Sequence, residues 1–231
     1  METFKEVKRT FKSAIRKILS KTNNAELDEA AFPAYAHKNP IIDYLFWERL
    51  NLTYHYILKR HNRKRVLDFG CGAGILCYLL AKQNFDVTGA DIEFSPLNMI
   101  KNKIDFPTNL RFIEGDIITK DIPNNSFDVI IALDVMEHIE NYPEYIAHFK
   151  RLLSTNGVVI VSGPTENILY KIGRKLAGNR FTGDYHVLNI GEIKKGFSSQ
   201  FKVNTIKRLI FPFVLFEVFV AEKTECFPVE A

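Results

Sequence analysis

Apolar residues Phe4, Val7, Phe11, Ile15, Ile18 and Leu19 recur mostly at three- and four-residue intervals, while Lys5, Lys8, Arg9, Lys12, Arg16 and Lys17 occupy the other side. That spacing predicts an amphipathic helix over residues 2–20. Lys21–Ala31 is mostly polar and is expected to be a linker. Asn39-Pro40 then opens a second helical pattern through Ile41, Leu45, Leu50, Tyr54, Ile57 and Leu58, with Pro40 at the first helical position, where its missing N–H is harmless. Past the basic cluster Lys59 to Arg65, short apolar runs alternate with helical spacing. Strands are expected at about 65–69, 86–90, 110–114, 127–133 and 157–162. Helices are expected over 74–83, from Ser95-Pro96 as cap and first residue, and after the fourth strand to about Leu153. Thr119–Ser126 reads as a loop, so one connecting helix is short or missing. Two extended segments, about 201–210 and 213–222, read as a terminal hairpin. Such alternation predicts an α/β fold with a mostly parallel, doubly wound sheet, and the almost wholly apolar Gly157–Ser162 should be a central strand.

Composition narrows the setting. A chain of 231 residues can bury a full core, giving a helical extension over 1–60 and a main domain over 61–231. The net charge of +4 leans only weakly toward anionic partners. Cys71, Cys77 and Cys226 are odd in number and lack metal spacing, which suits a reducing cytoplasm and a protein without a bound metal. The N-terminus has no apolar core of a secretory signal, and the longest apolar stretch, Leu209–Ala221, is interrupted by Pro212 and Glu217 and too short for a membrane span.

The chemistry concentrates in Val-Leu-Asp-Phe-Gly-Cys-Gly-Ala-Gly, residues 66–74, followed by the acid Asp91 after the run Phe85–Ala90. A buried strand, a glycine turn, a helix and a carboxylate at the end of the next strand form a unit that holds a nucleoside-bearing cofactor. The spacing of Gly70, Gly72 and Gly74 is G-x-G-x-G, with Ile75 where the last glycine of a dinucleotide fingerprint falls. With Asp68 two residues ahead, the segment resembles motif I of the class I S-adenosylmethionine-dependent methyltransferases. Gly115-Asp116-Ile117 and Leu133-Asp134-Val-Met-Glu137-His138-Ile resemble the small-molecule branch that includes ubiquinone and menaquinone biosynthesis enzymes. The resemblance covers roughly residues 64–223. It implies a Rossmann-like seven-stranded sheet ending in an antiparallel hairpin, S-adenosylmethionine as cofactor, and methyl transfer to a small-molecule or lipid-like acceptor. It further implies that Asp68 organises the turn around Gly70, Cys71, Gly72 and Gly74, and that Asp91 takes the ribose hydroxyls. Asp116 would meet the adenine amino group, Ile92 and Ile117 would sandwich the ring, and Leu133 would lie against the cofactor.

The acceptor side is more ambiguous. Asp134 and His138 are candidates for proton handling, but Asp134 and Glu137 also have the three-residue spacing of a helix-capping pair, the role expected of Glu137. The 163–186 segment carries Tyr170, Lys171, Arg174, Lys175, Arg180, Tyr185 and His186; it is either a solvated basic loop or a lid for an anionic acceptor, with His186 a second candidate acid/base. The helix over 2–20 either packs on the domain or lays its Phe/Ile face in a membrane surface. No nucleic-acid recognition module is apparent. Two rival readings are a methyltransferase-like binding protein without turnover and an NAD-dependent oxidoreductase.

Overall fold

The first helix, α1 (Phe4–Leu19), begins at a capping box. Thr3 Oγ1 accepts from the Glu6 N–H at 3.3 Å, and Glu6 returns a carboxylate to the Thr3 N–H at 2.7 Å, so two otherwise orphaned donors are satisfied. A short α2 (Phe32–Tyr35) and the long α3 (Pro40–Leu58) follow, the latter capped by Asn39, whose side chain accepts from Ile41 N–H at 2.9 Å. This computed structural model describes residues 2–21, 32–60, 64–165, 188–210 and 214–223, so the expected linker, apart from Lys21, lies outside the described residues.

The sheet contains β1 (Arg65–Phe69), β2 (Asp86–Asp91), β3 (Leu110–Glu114), β4 (Phe127–Leu133), β5 (Leu153–Pro164), β6 (Lys202–Ile210) and β7 (Val214–Glu222) in the order β3-β2-β1-β4-β5-β7-β6. β1 to β5 pair in parallel, and β7 runs antiparallel between β5 and β6, so the expected mixed sheet with a terminal hairpin is present. Val66, Val129, Ile131, Val158, Ile160, Val218 and Val220 face one core, and Leu67, Ile130, Ala132, Val159, Val161, Phe219 and Ala221 face the other. Alternation within runs that look uniformly apolar is what a sheet covered on both sides requires.

The first core is closed by α1, α3 and α4 (Ile75–Ala81). The second is closed by α6 (Tyr142–Leu152) and α7 (Ile190–Ser198), while α5 (Ser95–Lys101) follows β2. Ser95 is a correction: it is the first residue of α5, Phe94 holds the cap position, and no side chain caps that end.

For α1, the structure favours the first of the two readings, packing on the domain. Val7, Phe11, Ile15 and Ile18 are 0–6% exposed, packed into the same core as Val66 and Val129, so this apolar face is occupied by the protein itself. Phe11 meets Tyr78 edge-on at 5.4 Å, and Lys8 and Lys12 both pair with Asp43 of α3 at 2.8 and 2.5 Å. Burying each of these large side chains is worth about 1.5–3 kcal/mol, so withdrawing the helix into lipid would uncover the domain. Among the described residues no helix is long and apolar enough to cross a membrane.

Candidate active site

The chain leaves β1 toward β2 and β3, then returns to place β4 on the opposite side of β1. The crevice beyond the C-terminal ends of β1 and β4 is therefore a topological switch point, where open α/β sheets bind ligands. The glycine turn sits there. Gly70 and Cys71 both donate backbone N–H to the Ala90 carbonyl at 2.8 and 3.0 Å, which ties the turn to the end of β2. Gly70 has φ +73°, and a Cβ on it would overlap Val135 Cγ2, so only glycine lets the turn pack against the segment after β4. Gly72, at φ +49°, differs: a Cβ there would meet nothing within 4 Å. Its bare backbone faces open space, and its N–H donates to Asp91 Oδ2 at 2.8 Å.

Around that opening the expected residues take distinct roles. Burial raises the Asp91 carboxyl, opposed by hydrogen bonds from the Gly72, Glu93 and Ile92 backbone. Ile92, next in sequence to the carboxylate, is 79% exposed, an unusual position for a large apolar side chain. Asp68 lies beneath the turn, 5% exposed, and accepts a bond from Cys77 Sγ at 3.2 Å. Burial pushes its carboxyl up to about 7. Cys71 is buried, so its part in the turn is played by its backbone.

Asp116 caps the 3-10 turn Ile117–Thr119 by accepting from Ile118 N–H at 3.0 Å, which is the turn-forming use of that acid. Ile117 is a correction. Its side chain is 0% exposed in the core that includes Leu67 and Ala90, so it presents no surface to an adenine ring. Leu133 ends β4 half-buried, paired in register with Ser162 of β5.

The segment after β4 departs most from expectation. Asp134 takes a left-handed φ of +56°, its N–H donates to the Ser162 carbonyl at 3.0 Å, and its Oδ1 accepts from Ser162 Oγ at 2.9 Å. The capping-pair reading of Asp134 and Glu137 does not hold. A single 3-10 turn, Met136–His138, begins from Val135 without a side-chain cap, and Glu137 is 1% exposed. The helix proper starts only at Tyr142-Pro143, a start signal in the sequence that fits proline's place in a first turn. His138 is exposed on the 3-10 turn. His186, with Tyr185 and the basic residues near it, lies outside the described residues.

One residue of this site was not foreseen. Arg49 of α3 is 1% exposed, its guanidinium carbon lies 4.2 Å from the Phe46 ring centre and 4.3 Å from that of Phe216, and Nη1 forms an ion pair with Asp134 Oδ2. Nothing in the local pattern separates a buried arginine from an exposed one on such a helix; the only hint is its place four residues after Leu45 and four before Thr53, both of them buried. The glycine turn, the Asp91 carboxylate and the exposed Ile92 thus lie together, and the Arg49–Asp134 pair is joined to them through Val135, next in sequence to Asp134 and packed on Gly70.

The methyltransferase domain family matches this sequence over residues 37–194, more than half of the chain. The chain belongs to that family. This methyltransferase-domain protein is 33% identical over 129 residues to a ubiquinone biosynthesis O-methyltransferase of Rickettsia typhi, covering 52% of the chain and 47% of that protein. It is also 33% identical over 152 residues to the protein of that name from Pasteurella multocida, covering 59% and 63%. The chain therefore spans about half to under two thirds of the length of these relatives. Among solved structures, magnesium protoporphyrin IX methyltransferase from Synechocystis PCC 6803, with SAM bound, aligns at TM-score 0.64 and 18% identity over 91% of this chain and 97% of that one, a likeness of fold.

Proposed function

We propose that the protein transfers the methyl group of S-adenosylmethionine to an oxygen of a small, lipid-like acceptor, with residues 1–60 serving as a cap on the methyltransferase domain of residues 61–231. The observation that carries this reading is the open space over Gly72 beside the Asp91 carboxylate and the exposed Ile92. That cradle fits a ribose and an adjoining flat ring, and any Cβ at residue 72 would intrude on it.

In this reading Asp91 accepts the ribose hydroxyls, for which a carboxylate has lone pairs beyond the one used by Gly72 N–H. Ile92 covers one face of the adenine, the Asp116 carboxylate meets its amino group, and Asp68 under the turn faces the methionyl ammonium. When bound, the cofactor supplies an electrophilic sulfonium methyl. The chain's own contribution is to align that methyl with the acceptor and keep water out. The relatives named ubiquinone biosynthesis O-methyltransferases support an oxygen acceptor with an apolar body. Proton removal from the acceptor falls to Asp134 or His138, with His186 a further candidate, and a cytoplasmic location fits the free, buried Cys71 and Cys77.

Calorimetric titration with S-adenosylmethionine, S-adenosylhomocysteine and NAD, on wild type and Asp91→Ala, tests the reading. Binding of the two sulfur compounds alone, weakened roughly ten- to a hundredfold in the variant, is the expected result for loss of hydrogen bonds to a charged group. Binding of NAD alone would instead make the protein an oxidoreductase, and cofactor binding without transfer to any acceptor would make it a binding protein.

A further inference from the structure

The Arg49 guanidinium is stabilised at its two faces by the Phe46 and Phe216 rings but not at its edge: it is 1% exposed, and among the described residues Nε and Nη2 have no hydrogen-bond acceptor. Leaving charged donors unfilled in a dry site opposes folding, and a buried ion pair by itself is weak support for stability. Thr53 Oγ1, one helical turn further along α3, is likewise buried without a partner among the described residues. Two unfilled polar side chains on one helix face, beside the segment that follows β4, suggest a ligand edge.

The neighbourhood connects this edge to the cofactor cradle. Asp134, the partner of Arg49, adjoins Val135, which packs on Gly70 of the glycine turn. Tyr35 of α2 packs edge-on against Phe46 at 5.7 Å. Burial holds its phenol well above the usual range, with Arg49 opposing and Asp134 and Asp68 adding to the shift, so these groups share one electrostatic environment.

We propose that Arg49 orients the methyl acceptor, donating its second N–H edge to an uncharged hydroxyl or carbonyl oxygen of that molecule while Asp134 holds the first edge. The proposal rests on the methyltransferase reading above. The lack of charge follows from balance: Asp134 already matches the guanidinium, so a second full anion between the Phe46 and Phe216 rings would leave an uncompensated negative charge. An uncharged oxygen fills the donors without that cost. Phe46, which stacks on the guanidinium, is only half-buried. Arg49 is a positioning residue for the acceptor, distinct from any base, and it makes the acceptor neutral at this end rather than anionic.

The test uses two probes that differ by one carboxylate, 1,2-dihydroxybenzene and 3,4-dihydroxybenzoate. Methyl transfer is followed by mass spectrometry, and S-adenosylhomocysteine binding by calorimetry. Wild type should favour the neutral probe in kcat/KM. Arg49→Met should lower that transfer roughly a hundredfold, as expected for a charged hydrogen bond, with S-adenosylhomocysteine affinity unchanged. Asp134→Asn frees the guanidinium charge and should move preference toward the carboxylate probe by about tenfold or more, a shift that a purely structural arginine would not produce. Should Asp134→Asn fail to fold, Arg49→Lys keeps the charge and Asp134 but loses the planar second edge; it should lower transfer to the neutral probe about tenfold or more with S-adenosylhomocysteine affinity unchanged, and transfer equal to wild type would overturn the proposal. The proposal is overturned by wild-type transfer in Arg49→Met, by preference of wild type for the carboxylate probe, or by a wild type that binds S-adenosylhomocysteine yet methylates neither probe. A wild type that does not bind S-adenosylhomocysteine overturns the methyltransferase reading itself, and this proposal with it.

Discussion

The two walls of the crevice are held by different physics. At the glycine turn, backbone bonds to Ala90 hang the loop from β2, and the Asp91 carboxylate of the strand next door accepts from Gly72 N–H. After β4, Asp134 is fixed by Ser162 of β5 and by Arg49 of α3, with Phe216 of β7 closing the arginine from the other face. The first wall is built within one strand–turn–helix–strand unit, and its tolerances are set by backbone conformation. The second is assembled from four separated stretches of chain, and its tolerances are set by whether charges and rings stay matched. A backbone-built site fails by steric strain, whereas a charge-matched one fails when one partner is removed and survives when both are.

Substitutions at the two walls should separate those modes. Gly70→Ala forces a left-handed φ on a Cβ that overlaps Val135, and the combined strain and overpacking should cost about 2–5 kcal/mol in a urea melt; a variant as stable as wild type would show that the turn can move. Asp134→Ala strands the buried Arg49 charge. It should cost about 3 kcal/mol, near the lower end for a broken buried pair because the Asp134 side chain is 20% exposed, while leaving S-adenosylhomocysteine binding intact. Loss of both together would merge the two walls into one unit.

Gly72→Ala sharpens the contrast from the other direction. No atom lies in the way of its Cβ, so the expected stability cost is only the left-handed backbone penalty, about 1 kcal/mol, yet cofactor affinity should fall by more than tenfold. Intact affinity in this variant would place the cofactor elsewhere.

A further difference concerns pH. Burial holds the Asp68 carboxyl at about 7, whereas an unfolded aspartate titrates at about 4. The folded chain keeps a proton that the unfolded chain releases, so the contribution of this residue is greatest below pH ~4 and declines as pH rises toward about 7. Asp68→Asn stays neutral, so wild type should lose stability relative to the variant progressively across that window. A difference that stays constant with pH would mean that Asp68 is ionised throughout.

Much of the strand–turn–helix–strand unit could be read from residues alone because its parts are close in sequence. The expected ranges for β1, β3 and β4 coincide with those observed, and the N-cap at Asn39 was signalled by Asn-Pro at a helix start. Misreadings arose where local and tertiary demands compete. Asp134 and Glu137 have capping spacing, but Met136 and Glu137 are drawn into the interior and the helix waits for Pro143. Ile117 follows an acid at the end of a strand, yet its side chain is claimed by the core. The amphipathic face of α1 suits a membrane surface or a protein core equally well by period, and the exposed apolar surface of the domain decided between them.

The sequence by itself determined the α/β alternation, the glycine turn and the carboxylate that faces it, since periodicity and backbone permissiveness are properties of neighbouring residues. Only the tertiary structure decided that α1 belongs to the core, that Ile92 stays exposed while Ile117 is buried, and that Arg49 is buried between two rings against Asp134. Those outcomes depend on which surfaces meet across long stretches of chain, and burial, desolvation and charge pairing are decided where they meet.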